Sequence, residues 1–352
     1  MKPVLCVFLL LLTGCSRISY LAESGVGQWE LFNRARPVDE VMASPYTKAE
    51  VKASIRLVQE TKKFAVDKLG LNATGNYNRF VDVGGPCVVW SVSAADALKL
   101  EERKWQFPIV GAVPYLGFFR KTSAESEAQK LREGFNGEKP DVWVRCVPAF
   151  SSLGWFADPL YSSMIRGSNL HIIDTVIHES LHATVWVGDS VDFNEKLASF
   201  VGMEGSLKFL ESARTKEEWE KAKQQVLGEK VFGEFMKAQE TYYKSTVKNL
   251  EQKKDFYDTL LQRYKGFVEA KIQAGLQFAP LDVTFQNWNN SAFLAYLNYS
   301  SDYSVFERAF RSCGGDLRTF VVWIRKVQKE QGALFKSAPE NQLSLLADQA
   351  CH

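Results

Sequence analysis

The chain has 352 residues, 46% hydrophobic and 24% charged, which is enough apolar mass for one large folded unit or two modest ones. Forty-three Lys and Arg against 41 Asp and Glu leave a formal charge of +2, so no basic footprint for nucleic acid and no acidic tail is present. A mean hydropathy of −0.19 with only one long apolar run excludes a protein of many membrane spans.

That run is N-terminal. In MKPVLCVFLLLLTGC, Lys2 supplies a positive start, and Val4–Leu12 is too short to span a bilayer as a helix. Leu12-Thr13-Gly14-Cys15 resembles a bacterial lipobox, in which cleavage precedes the cysteine and the new N-terminus carries lipid. The alternative is an ordinary cleaved signal peptide. The first reading makes residues 1–14 a lipoprotein signal peptide, 15–45 the lipidated Cys15 with a tether, and 46–352 a single domain. Within that domain, 46–165 is a helix plus a small sheet, and 166–352 is helical. Ser16 after the cysteine points to the outer membrane, facing the periplasm. Cys87, Cys146, Cys313 and Cys351 then sit where disulfides persist, and their three possible pairings stay open.

In chain order, Thr47–Leu69 is predicted helical, with Val51, Ile55, Val58 and Ala65 on one face and Gly70 as its stop. Cys87–Val92, Pro108–Phe119 and Asp141–Val147 read as strands of a small sheet, with a helix over Ser123–Glu133. The Pro108–Phe119 run is either a fully buried strand or an edge on which an extended peptide adds a strand. After Leu170 the chain reads as helical. Thr215–Thr246 and Leu250–Ala274 form a long hairpin whose charges read as solvated, and Ser291–Tyr299, Tyr303–Cys313 and Leu317–Gln328 follow. The expected class is α+β, mostly helical.

The chemistry concentrates in His178-Glu179-Ser180-Leu181-His182, an H-E-x-x-H motif inside a helix predicted over His171–Val187. Residues four apart share a helix face, so both imidazoles can ligate one tetrahedral zinc. Glu179, rotated by about 100°, flanks the ion where a general base belongs. A third ligand should come from the next helix, which opens at Asp192. Glu195 is the candidate, because Ala198 and Gly202 on its side permit close packing. Alternatively Glu195 caps its own helix in a D-x-x-E start and Asp189 is the ligand. Asp174 either orients an imidazole or is an exposed first-turn charge, and His171 reads as surface or structural. Tyr296, Tyr299 and Tyr303 are candidate oxyanion donors, each with core packing as the alternative.

H-E-x-x-H followed by Asn194-Glu195-x-x-Ala198 resembles the gluzincin metallopeptidases. WQFPIVGAVPYLGFF (105–119), VPAFSSLGWFADPL (147–160), IHESLHATVWVGDSVDFNEKLASFVG (177–202) and WNNSAFLAYLNY (288–299) resemble the bacterial Putative aminopeptidase family, often lipoproteins. The resemblance implies a zincin-like fold, one zinc per chain on His178, His182 and Glu195, Glu179 as base, and peptide substrates. The interval from His182 to Glu195 is shorter than in larger gluzincins, and the G-x-M-E-N amine-binding signature is missing, so exopeptidase action rests on the resemblance alone. An endopeptidase, a zinc-bearing non-hydrolytic envelope lipoprotein and a hydrolase of non-peptide amides are the competing readings.

Overall fold

In the computed structural model, the structure describes residues 20–107, 111–134, 139–149, 157–188, 190–299, 303–347 and 351. Cys15, Asp189 and the preceding signal lie outside them, as does the Tyr299 side chain. The architecture is α+β and mostly helical, as the periodicity implied. Among the described residues no helix is long and apolar enough to cross a membrane.

Where a tether into irregular chain was expected, residues 20–34 form a helix, α1. β1 (Arg36–Pro37), α2 (Val38–Ala43) and α3 (Ala49–Asp67) follow. β2 (Arg79–Val81), β3 (Val89–Ala95), β4 (Trp105–Phe107), β5 (Gly111–Val113), β6 (Tyr115–Phe118), α4 (Lys121–Glu133), β7 (Asp141–Val147) and β8 (Leu160–Tyr161) complete the strand-bearing part. The apolar run Pro108–Phe119 is therefore not one strand: β5 and β6 break at Pro114, which has no N–H for a ladder, and 108–110 lie outside the described residues.

The main sheet is antiparallel in the order β6-β3-β7, with Val89 opposite Val147 and Trp90 opposite Phe118. Its alternation does two jobs. Val92, Ala94, Leu116, Phe118 and Val142 pack on Ala124, Ala128 and Leu131 of α4. The opposite face carries Ser91 and Ser93, and Ser93 hydrogen-bonds Ser291 at 2.8 Å. β6 is an edge, but α1 covers it. Gly117 donates its N–H to the Tyr20 phenol at 3.2 Å, and Tyr20 stacks edge-on to Phe118. Of the two alternatives for this segment, buried strand or open edge, β6 is an edge whose Gly117 N–H is already taken by Tyr20 of α1.

The helical part runs α5 (Asn169–His182), α6 (Val191–Ala213), α7 (Lys216–Thr246), α8 (Leu250–Asp258), α9 (Leu260–Gln273), α10 (Asn290–Tyr299), α11 (Ser304–Ser312), α12 (Leu317–Ser337) and α13 (Pro339–Leu346). α7 starts with a complete capping box, Thr215 with Glu218. Its partner arm is two helices rather than one, joined at Thr259, which ends α8 and opens α9. Phe232, Phe235, Phe256, Tyr264, Phe285 and Phe293 make a core for this arm. The larger core holds α3, α5, α6 and the C-terminal helices together, with Ile173, Ile177, Phe193, Phe200, Phe306 and Phe320 at its centre. Disulfides join Cys87 to Cys146 and Cys313 to Cys351, selecting one of the three pairings.

Candidate metal centre

α5 begins where Ser168 accepts a hydrogen bond from the His171 N–H at 3.2 Å, and it ends at His182 rather than Val187. The early stop has a cause. Asn72 donates through its side-chain amide to the Ala183 carbonyl, and Thr184 accepts from the Asn72 N–H, both at 2.9 Å. These bonds from a distant loop terminate the helix, so residues 183–188 are free to turn. Val185 and Val187 stay buried in the turn.

The turn returns the chain to α6 through Asn194. Its buried side-chain oxygen accepts from the Val187 N–H at 2.9 Å, and its side-chain nitrogen donates to the Val187 carbonyl at 2.8 Å. Glu195 is the next residue. Ser190 is the N-cap, so Glu195 is the fifth helical residue, too far in for a D-x-x-E cap. α5 and α6 pack tightly, as the small residues implied. A Cβ on Gly202 would lie 2.5 Å from Asp174 Oδ1, and one on Gly205 would lie 3.0 Å from Ile177 Cδ1.

His178, His182 and Glu195 converge, and one donor atom from each lies within 4.8 Å of the others. His178 Nε2 is 3.0 Å from His182 Nε2 and 3.3 Å from Glu195 Oε2, while His182 Nε2 is 3.5 Å from Glu195 Oε1. Ligands about 2.05 Å from a tetrahedral zinc stand about 3.3 Å apart, so the three donors already have the spacing of such an edge. The residues fit a metal ion. Both imidazoles are mostly enclosed, at 16% and 14% exposed, while Glu195 at 37% marks the open side.

The electrostatics suit a cation. Burial alone would raise the Glu195 carboxyl, but hydrogen bonds and charge from His178 and His182 outweigh it and hold the group far below the usual carboxylate range. Burial alone would lower His178. The Glu195 hydrogen bond, then the charges of Glu179, Glu195 and Asp174, reverse this and raise it. Asp174, half-buried rather than exposed, is raised by desolvation against the opposing charges of His178 and His171. The buried Nδ1 of His182 finds no hydrogen-bond partner among the described residues. The Trp186 ring lies edge-on to His182 at 5.4 Å.

The candidate tyrosines separate. Tyr296 stacks on Trp288 at 4.5 Å and beside Trp143 at 5.9 Å. Tyr303 caps α11, is pushed up to about 12 by burial against a Ser199 hydrogen bond, and senses the charges of Asp174 and Glu229. Ser199 is one turn beyond Glu195, so Tyr303 borders the metal helices. A further tyrosine, Tyr77, escaped the sequence reading. Its buried phenol is raised well above its ordinary value by desolvation, with Glu179 the largest charge acting on it. Tyr77 has φ +64°, a left-handed conformation that side chains adopt at a cost. The Asp158 carbonyl accepting from its N–H at 2.7 Å, and Gln59 donating to its carbonyl, hold it there. An Asn-Tyr-Asn stretch in a loop carries no periodic signal that would have flagged it.

No curated protein and no solved structure matches the chain. One family model does, over residues 19–336, so that its match takes in the strands, the His-His-Glu group and the helical arm alike; the chain belongs to the Putative aminopeptidase family.

Proposed function

We propose that the protein is a zinc-dependent peptidase, most simply an aminopeptidase, with Glu179 as general base. The observation that carries this reading is the convergence of three donors at 3.0, 3.3 and 3.5 Å beside a glutamate on the same helix. Membership of a peptidase family supports it. An ion on His178, His182 and Glu195 would supply a Lewis acid at the scissile carbonyl and ease ionisation of the attacking water. Glu179 takes that water's proton on its carboxylate and returns it to the leaving amine. Tyr77, whose phenol feels the Glu179 charge, and Tyr303, hydrogen-bonded to Ser199 of α6, are the phenols to test as donors to the developing oxyanion. A lipid on Cys15 would tie the enzyme to the envelope membrane.

Metal content and hydrolysis, measured together with and without a chelator, test the reading. About one zinc per chain with chelator-sensitive release of N-terminal residues from unblocked peptides is the expected result. Cleavage of blocked peptides would make it an endopeptidase. Zinc without cleavage of either would favour a non-hydrolytic lipoprotein.

A further inference from the structure

A cavity of about 240 Å³ opens beside the metal helices, between α5, α6, α7 and the segment 279–281. The fold builds it deliberately. The Ala279 N–H donates to the Gln224 carbonyl at 2.9 Å, and Gly228 of α7 has no side chain because the Ala279 carbonyl occupies that space. This close approach sets Pro280 and Leu281 as one wall. Leu170, Met203, Val226 and Leu281 give the cavity an apolar sleeve.

Two carboxylates face that sleeve, Asp174 from α5 and Glu229 from α7; no Lys or Arg lines it, and His171 at the start of α5 is the basic side chain on its wall. Asp174 is tucked against Gly202 and desolvated, yet accepts no hydrogen bond from any described residue. The nearest lysine on α7, Lys230, points elsewhere and is satisfied by Glu204 and Glu307 at 3.6 and 3.2 Å. The pair is not a second metal site, since among the described residues the only three donors that converge are those of His178, His182 and Glu195. Asp174 precedes His178 by one turn, about 6 Å along the helix axis, so α5 runs from the cavity to the His-His-Glu group.

We propose that this cavity is the pocket for a basic side chain of the substrate, Lys or Arg, next to the bond being cut. The inference rests on the peptidase reading for its place in the reaction, but not for its chemistry. A long methylene stem fits an apolar sleeve, and a cationic head meets two carboxylates that accept no hydrogen bond from the described residues. An α-ammonium alone would use the charges and leave the sleeve empty.

Calorimetric titration of the full chain with N-acetylargininamide and N-acetylnorleucinamide tests this, on both zinc-loaded and chelator-stripped protein. The arginine amide should bind at least tenfold tighter in both forms, and Glu229→Gln and Asp174→Asn should each remove most of that difference. With active enzyme, release of Arg or Lys should exceed release of Leu by at least tenfold in kcat/KM, with the ratio collapsing in Glu229→Gln. Equal affinities, a preference that survives both variants, or tight binding only when the α-amine is free would overturn the pocket. Selective binding without hydrolysis of any peptide would instead sink the peptidase reading and leave the pocket standing.

Discussion

In the proposed mechanism the chemistry turns on Glu179 and its neighbours, one side chain at a time. Glu179→Gln keeps the shape and removes the base, so hydrolysis should fall by about 10²–10⁴-fold while bound zinc, measured by elemental analysis, stays at the wild-type level. An active Glu179→Gln protein would refute the assignment. Gly202 has an equally local role. An alanine there gains helix propensity but drives its Cβ into the Asp174 carboxyl, so Gly202→Ala should cost about 1–2 kcal/mol in denaturant unfolding. Glu229 adds a pH signature. Desolvation by surrounding protein, with the Asp174 charge adding, pushes its carboxyl up to about 7 although the side chain reaches solvent. For an acid whose folded pKa is raised, the cost of ionisation is absent below the unfolded value of 4.5 and complete above about 7. Glu229→Gln should therefore gain stability relative to wild type as pH rises from 5 to 8, read as a growing difference in Tm. A constant difference would mean that Glu229 titrates normally. Asp174, His171 and Tyr303 surround this group, and the comparison holds them unchanged.

The candidate metal centre is a property of two helices and the turn between them. Asn194 fixes that turn, and in Asn194→Ala both backbone groups of the buried Val187 lose their partner. Each orphaned group costs about 1–3 kcal/mol, and Glu195 loses the neighbour that sets its entry into α6. The expected outcome is a loss of about 2–4 kcal/mol in unfolding together with about tenfold weaker metal binding in a competition titration. Unchanged metal affinity would show that α5–α6 packing alone positions Glu195. At this scale the sequence was readable where the pattern is local. The H-E-x-x-H helix, the small residues at Ala198 and Gly202, α3, β7 and α7 follow from periodicity and spacing. The misses are the places where a distant residue intervenes. α5 stops five residues early because Asn72 caps it from another segment, and Pro114 divides an apolar run that reads as one strand. Residues 20–34, short of strong periodicity, become helical by packing on β6. Tyr77 and Glu229 were invisible because what singles them out is what folding brings beside them, Glu179 and Asp174. Glu229 in particular stands among the many charges of α7, and only the folded chain sets it beside Asp174.

At the scale of the molecule, two disulfides staple different parts of one architecture. Cys87–Cys146 spans 59 residues and joins strands that the β3–β7 ladder already pairs, with Val88 donating to Val147 at 2.9 Å. Cys313–Cys351 spans 38 residues and returns the chain's end to the C-terminus of α11. In the loop-entropy model each removes about 4 kcal/mol from the unfolded state's favour, a large share of the roughly 5–15 kcal/mol that a folded chain commands. For a chain this long that corresponds to about 5 °C in Tm for either bond. The two should differ in what else they change. α11 sends Phe306 against Phe193 and Phe200 of α6, with ring centroids 5.7 and 5.8 Å apart, and Phe320 of α12 meets Phe200 at 5.6 Å. Those rings back the helix that carries Glu195. Loosening the C-terminal staple therefore loosens the metal helix, whereas loosening the sheet staple does not reach it. A Cys313→Ala/Cys351→Ala protein should lose both Tm and several-fold in zinc affinity, while a Cys87→Ala/Cys146→Ala protein should lose Tm with zinc affinity intact. Equal loss of zinc affinity in the two would mean that the protein senses global stability alone, and that the aromatic layer behind α6 transmits nothing specific to the metal centre.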